Sequence, residues 1–203
     1  MAPLSLVRFL ALCLLCACSL RDGSSLVSAE TIQGKVQVPG ARDSRGAVVY
    51  VDRIPGRRFD PPRQPVVLDQ LNLRFVPHVL PVLVGTTVSF PNSDEVRHNV
   101  FSPSKGSRFD LGTYPMGSVR QRVFSSPGVV TVLCNVHAEM SAYVVVTETP
   151  YYAVTDPNGR FTIAGVPPGV YSLRVWHERV KPSAVEVRVD PGTGATVTLA
   201  VGR

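Results

Sequence analysis

The chain has 203 residues with a formal net charge of +6, 44% of them hydrophobic and only 18% charged. So apolar a composition with so little charge excludes a disordered chain, and the absence after residue 30 of any apolar stripe held at helical spacing for three turns excludes an all-α fold. The 18 prolines and 16 glycines fall between apolar runs rather than in clusters, the texture of many short strands joined by turns.

Taken in chain order, Arg8 precedes Phe9 to Leu20, an apolar run too short to span a bilayer as a mature helix. Residues 1–29 therefore read as an export signal. Two processing sites compete. Val27-Ser28-Ala29 places small residues at −3 and −1 before Glu30, whereas Leu15-Cys16-Ala17-Cys18 has the form of a bacterial lipoprotein signal with Cys18 as the lipidated residue. Either route places the mature chain in the periplasm or cell envelope of a bacterium, the second with a lipid anchor to the membrane.

Thr31 to Val38 and Ala47 to Val51 read as strands, followed by a loop rich in Arg and Pro that reaches Pro65. Val66 to Leu68, Leu73 to Val76, Pro81 to Val84 and Thr87 to Phe90 are short apolar or alternating runs separated by Asn, Pro and Gly. Val119 to Phe124, Val129 to Cys134 and Tyr143 to Thr147 follow. Beyond Pro150 the segment Asp156-Pro157-Asn158-Gly159 predicts a hairpin turn. Phe161 to Ala164, Tyr171 to Trp176, Ala184 to Val189 and Thr196 to Val201 are the remaining predicted strands. The class is all-β, organised as two sandwich-like units.

The basic excess sits in residues 30–65 and 150–203, while residues 66–149 balance. Arg53, Arg57, Arg58 and Arg63 concentrate it in the Arg/Pro loop, which reads as a solvated loop or an electrostatic docking patch. A nucleic-acid partner is not expected from so local an excess.

Three of the four cysteines lie in the export segment, so the mature chain keeps Cys134 as its one ordinary thiol. In an oxidising compartment such a thiol is a liability unless it is buried or bound to metal. Its neighbours favour metal. Cys134-Asn135-Val136-His137-Ala138-Glu139-Met140 sets a thiol, an imidazole and a thioether directly after a strand, and His98 supplies a second imidazole from another strand. Two imidazoles and a thiolate with a weak axial thioether form the ligand set of a one-electron copper site. Zinc accepts Cys and His but has little use for Met140. Met116 is the rival thioether but lies outside the ligand loop; His78 and His177 sit in no matching motif and read as structural or surface residues.

These residues resemble the cupredoxins, the small blue copper proteins such as plastocyanin and amicyanin, over residues 66–149. Phe75-Val76-Pro77, then Val84-Gly85-Thr86-Thr87-Val88-Ser89-Phe90-Pro91-Asn92, look like the family's opening strands, His98-Asn99-Val100 like its upstream ligand segment, and Cys-x2-His-x2-Met like an amicyanin-type ligand loop. The resemblance implies a Greek-key β-sandwich holding one type 1 copper ion through His98, Cys134, His137 and Met140. It implies that electrons leave through His137 to redox protein partners, and it suggests Asn99 as a brace on the Cys134 side. The sequence departs from the family at Val136 and Ala138, where Pro is common, and at Glu139, which puts a charge beside the expected apolar docking edge.

The flanks carry a second resemblance, to the carboxypeptidase regulatory-like, or transthyretin-like, β-sandwich. It rests on Ile32-Gln33-Gly34-Lys35-Val36 with Gly46 to Val51, and on Ala153 to Phe161 with Val166 to Leu173. The economical arrangement inserts the copper unit, residues 66–149, into a connection of a sandwich made from residues 30–65 and 150–203. The expected function is electron carriage rather than enzymatic catalysis. A copper-delivery protein and an envelope adhesion or scaffold module are the alternatives. Nothing in the sequence sets the oligomeric state.

Overall fold

The computed structural model describes residues 29–202; the export segment, with Cys18, lies outside the described residues except for Ala29. Strands β1 (Glu30–Gln37) and β2 (Val48–Val51) precede the Arg/Pro loop. Three short strands follow it: β3 (Val66–Val67), β4 (Asp69–Gln70) and β5 (Phe75–Val76). Then come β6 (Val79–Leu83), β7 (Thr87–Pro91), β8 (His98–Ser102) and β9 (Phe109–Tyr114). Next are β10 (Val119–Val123), β11 (Gly128–Leu133) and β12 (Ser141–Thr147). The last five are β13 (Tyr152–Val154), β14 (Arg160–Val166), β15 (Gly169–His177), β16 (Val180–Val189) and β17 (Ala195–Ala200).

Period-two patterning decides which face each strand buries. In β14, Phe161 and Ile163 point into the core while Arg160, Thr162 and Ala164 face out. One pair of sheets, β14-β1-β17 and β13-β2-β15-β16, encloses Ile32, Val36, Val49, Ile163, Leu173 and their neighbours. A second pair, β6-β12-β11-β8-β9 and β10-β7-β3, encloses Leu68, Phe90, Val132 and Val144, with Cys134 and Met140 in the same cluster. The small pair β4-β5 caps the second core. Thus β1 and β2 share sheets with the C-terminal strands, and every strand from β3 to β12 lies in the other unit.

The two units meet through Val48, Val145 and Trp176, with Tyr143 and Trp176 rings 5.0 Å apart. Such an aromatic contact contributes about 0.5–1.5 kcal/mol beyond its buried area. Around it Thr149 Oγ1 donates to the Val51 carbonyl at 2.7 Å, and Arg53 pairs with Glu148.

Two local expectations need correction. Leu73 is not in a strand: with Asn72 it forms the tip of the β4–β5 hairpin, at φ 57° and 54°. The Asp156–Gly159 turn forms, closed by Gly159 N–H on the Asp156 carbonyl, but its strands β13 and β14 diverge into opposite sheets instead of pairing. Gly159 is required there, at φ 78°, because a Cβ would collide with the Val36 carbonyl oxygen. Strands β4, β9 and β13 had no apolar run long enough to be read.

Candidate metal centre

The centre is assembled where β8 and β11 run into the loops at one end of the five-stranded sheet β6-β12-β11-β8-β9. Cys134 follows the last residue of β11, and the loop to β12 is closed by Cys134 N–H on the Met140 carbonyl at 3.3 Å and Met140 N–H on the His137 carbonyl at 3.1 Å. A seven-residue loop closed twice in this way holds Cys134, His137 and Met140 at one end of the sheet. His98 begins β8, whose Phe101 pairs with Leu133 of β11.

The donor atoms of His98, Cys134 and His137 all lie within 4.8 Å of one another, the only such cluster of three or more His, Cys, Asp or Glu among the described residues. His98 is fully buried, Cys134 is 5% exposed, and His137 is half-buried. Met140, 1% exposed, packs in the same core cluster, whereas the rival Met116 is exposed.

Hydrogen bonds set which imidazole nitrogens face the centre. His98 Nε2 lies 2.8 Å from Asp94 Oδ2, and the side chain of Asp94 is only 11% exposed. Burial pushes the Asp94 carboxyl up, but the Leu73 N–H, the His98 ring and the Asn72 N–H outweigh it and hold the group below the usual carboxylate range. An ionised Asp94 accepts, so His98 Nε2 carries the proton and His98 Nδ1 presents a lone pair. That Nδ1 lies 3.0 Å from His137 Nδ1, so the two ring nitrogens face each other across the centre. A metal ion there would meet both imidazoles and the Cys134 sulfur.

Asp94 was not singled out by the sequence; its position four residues before His98 is the only signal it gives. Asn92 shapes its loop, with Oδ1 accepting from Asp94 N–H and Nδ2 donating to the Val96 and Tyr114 carbonyls. The Asp94 carboxylate in turn accepts the N–H groups of Asn72 and Leu73 at 2.6 and 2.9 Å, fixing the left-handed hairpin tip against the ligand side chain.

Asn99 is buried beside His98 but donates to Asp110 Oδ1 on β9, at 2.7 Å, and its Oδ1 is buried without a partner. That bond ties β8 to β9. His78 and His177 stand outside the cluster: His78 bonds the Ser141 carbonyl and Glu178, and His177 Nδ1 accepts from Arg179 N–H.

The donor chemistry fits a soft, one-electron metal. Thiolate with imidazole suits zinc and copper alike, and the buried thioether beside them favours copper.

Comparison with known proteins bears on both units. The description carboxypeptidase regulatory-like domain matches residues 128–202. That stretch takes in β11 and β12 of the unit holding Cys134, and it leaves out β1 and β2, which pair with the strands it covers. Among solved structures, a copper-containing nitrite reductase from Thermus scotoductus SA-01 is 25% identical with a TM-score of 0.41, over 49% of this chain and 25% of that one. A reduced variant of amicyanin is 23% identical with a TM-score of 0.39, over 42% and 84%. A purple cupredoxin from Nitrosopumilus maritimus is 29% identical with a TM-score of 0.35, over 37% and 84%. The chain is similar to cupredoxins and to a carboxypeptidase regulatory-like domain. It spans a quarter of the length of the nitrite reductase. No curated protein matches it.

Proposed function

We propose that this chain is an exported type 1 copper protein that carries single electrons between redox protein partners. The observation that carries the reading is the convergence of two imidazoles and one thiol, in a pocket where Asp94 already fixes the tautomer of one imidazole. Copper, when bound, supplies a one-electron Cu(I)/Cu(II) couple. His98, Cys134 and His137 would hold it, with the buried thioether of Met140 as a further soft donor.

The chain's own residues do the rest. The tightly closed 134–140 loop and the Asp94 anchor keep the donors from rearranging between oxidation states, which keeps the cost of each transfer low. Burial of His98 and Cys134 excludes water from the centre, leaving the half-buried His137 as the edge through which a partner is reached. Val136 and Glu139, on either side of His137 in the loop, are both exposed. A delivery protein instead needs open, exchangeable coordination, and three donors drawn from a buried core do not offer it.

The test is voltammetry of the copper-loaded protein with metal analysis after each cycle. A reversible one-electron wave with copper retained in both states is expected. Release of copper on reduction would make delivery, not electron carriage, the function.

A further inference from the structure

The Arg/Pro loop between β2 and β3 plays no part in the metal centre, lying at the opposite end of β12 from the ligand loop, yet it is built as a fixed wall. Ile54 is buried, and Arg57 N–H closes a turn on the Ile54 carbonyl through Gly56. Farther on, Pro61 lies against Gly85, so closely that a Cβ there would sit 3.1 Å from its ring. Arg53 grips Glu148 with contacts of 3.1–3.4 Å. The loop and the β3–β12 unit together line an open cleft of about 550 Å³.

The lining of this cleft has two parts. Ile54, Phe59 and Val84 give an apolar side, and Phe59 is held edge-on by Tyr151 at 5.6 Å. Arg53, Arg57 and Arg58 give a basic side. Glu148, the one acid lining it, is taken up by Arg53, and among the described residues neither Arg57 nor Arg58 forms an ion pair. The Arg57 guanidinium sits 6.0 Å over the Phe59 ring, which steers it without neutralising it. Two adjacent guanidiniums without a carboxylate partner line this side, and a doubly charged oxyanion would neutralise both while matching their planar forks.

We propose that this cleft binds a phosphate monoester, its dianion between Arg57 and Arg58 and an apolar body against Phe59, Ile54 and Val84. The assignment does not depend on the metal centre. A free metabolite-sized ester and the headgroup of an anionic monoester lipid share this chemistry.

The test titrates the intact exported protein with phenyl phosphate, inorganic phosphate and benzoate by calorimetry, and measures its retention on phosphatidylcholine vesicles with and without phosphatidic acid. Saturable phenyl phosphate binding is expected, roughly tenfold or more tighter than inorganic phosphate because the ring is buried. Arg57→Gln and Arg58→Gln should each weaken it about tenfold, since each removes a charge-assisted contact. Both side chains are exposed, so melting temperatures should stay unchanged and confirm folding. Binding in the soluble arm, or retention only on phosphatidic acid vesicles, lost in either case on substitution, carries the proposal and identifies the source. Absence of binding in both arms, equal binding of all three anions, or binding that survives both substitutions overturns it.

Discussion

The two sandwiches bury apolar cores of similar make-up but differ in the polar groups they bury with them. In the unit of β1, β2 and β13–β17 the buried polar side chains are Glu30, Thr155 and His177, and Thr155 simply ties strand ends, bonding Ala47 N–H and the Ser44 carbonyl. The unit of β3–β12 buries Gln70, Ser89, Asn92, His98, Asn99 and Ser102, among others, and holds all the unpartnered buried side-chain atoms among the described residues: Gln70 Oε1, Thr86 Oγ1 and Asn99 Oδ1. Burying polar groups costs stability unless each is paired. A sandwich of this size folds without that cost, as its neighbour shows, so the polar investment marks the unit whose geometry is tied to chemistry.

The comparison is broken most sharply by cutting the chain. β1 is the central strand of one sheet and β2 lies inside the other, so residues 150–203 alone lack the middle of both sheets and should stay unfolded by circular dichroism. Residues 66–149 carry every strand of the copper-type unit and should fold and bind copper. A cooperatively melting 150–203 fragment would show that the two cores are not divided in this way.

Next in size is Asp94→Asn, which keeps the shape of the side chain but removes the charge that orders His98 and the hairpin tip. Copper affinity, read by chelator competition, should fall about 10- to 100-fold, the usual effect of losing a group that orients a ligand. The reduction potential should move as well, a change that loss of a merely structural contact would not produce.

A smaller effect is expected at Tyr114, whose hydroxyl donates to the Phe90 carbonyl at 2.9 Å and accepts from Gln70 at 2.7 Å. Burial pushes the Tyr114 phenol up to about 12, with Gln70 and Arg120 opposing only in part. The folded state therefore holds this proton more tightly than the unfolded chain does. Its stabilising contribution is full below the ordinary tyrosine value and is lost as pH rises from there toward about 12. Tyr114→Phe should cost about 1–3 kcal/mol in denaturant melts at neutral pH, and it should flatten the alkaline decline relative to the wild type. An unchanged alkaline slope would remove Tyr114 from the account.

The smallest effect belongs to Leu73. A leucine at φ 57° carries a strain of about 1–2 kcal/mol that asparagine avoids. Leu73→Asn should raise stability by up to about 1 kcal/mol and leave copper affinity unchanged, because Asp94 bonds the backbone there and not the side chain.

Legibility in the sequence followed the distance over which each feature is determined. Cys134, His137 and Met140 are bound together within one short loop, so their types and spacing suffice to nominate them. His98 lies 36 residues upstream and was reached through the resemblance as much as through chemistry. Asp94 stayed hidden because its role depends on Asn92 turning the loop and on a hairpin tip more than twenty residues earlier, neither of which leaves a pattern. The same holds for β9, where Asp110 and Gly112 interrupt the apolar alternation, and for Asn99, whose partner is Asp110 on that strand. The divergence of β13 from β14 likewise depends on which sheets their neighbours join, not on the Asp156–Gly159 turn, which reads correctly as a turn.

The central claim is that Cys134 and the two imidazoles hold copper as a thiolate-bound, one-electron centre. The direct measurement is the visible spectrum of the purified protein loaded with Cu(II), beside Cys134→Ser. An intense thiolate-to-copper band, blue or greenish, is expected in the wild type and absent in a Cys134→Ser protein that melts normally. A colourless wild type retaining one tightly bound zinc ion would contradict it.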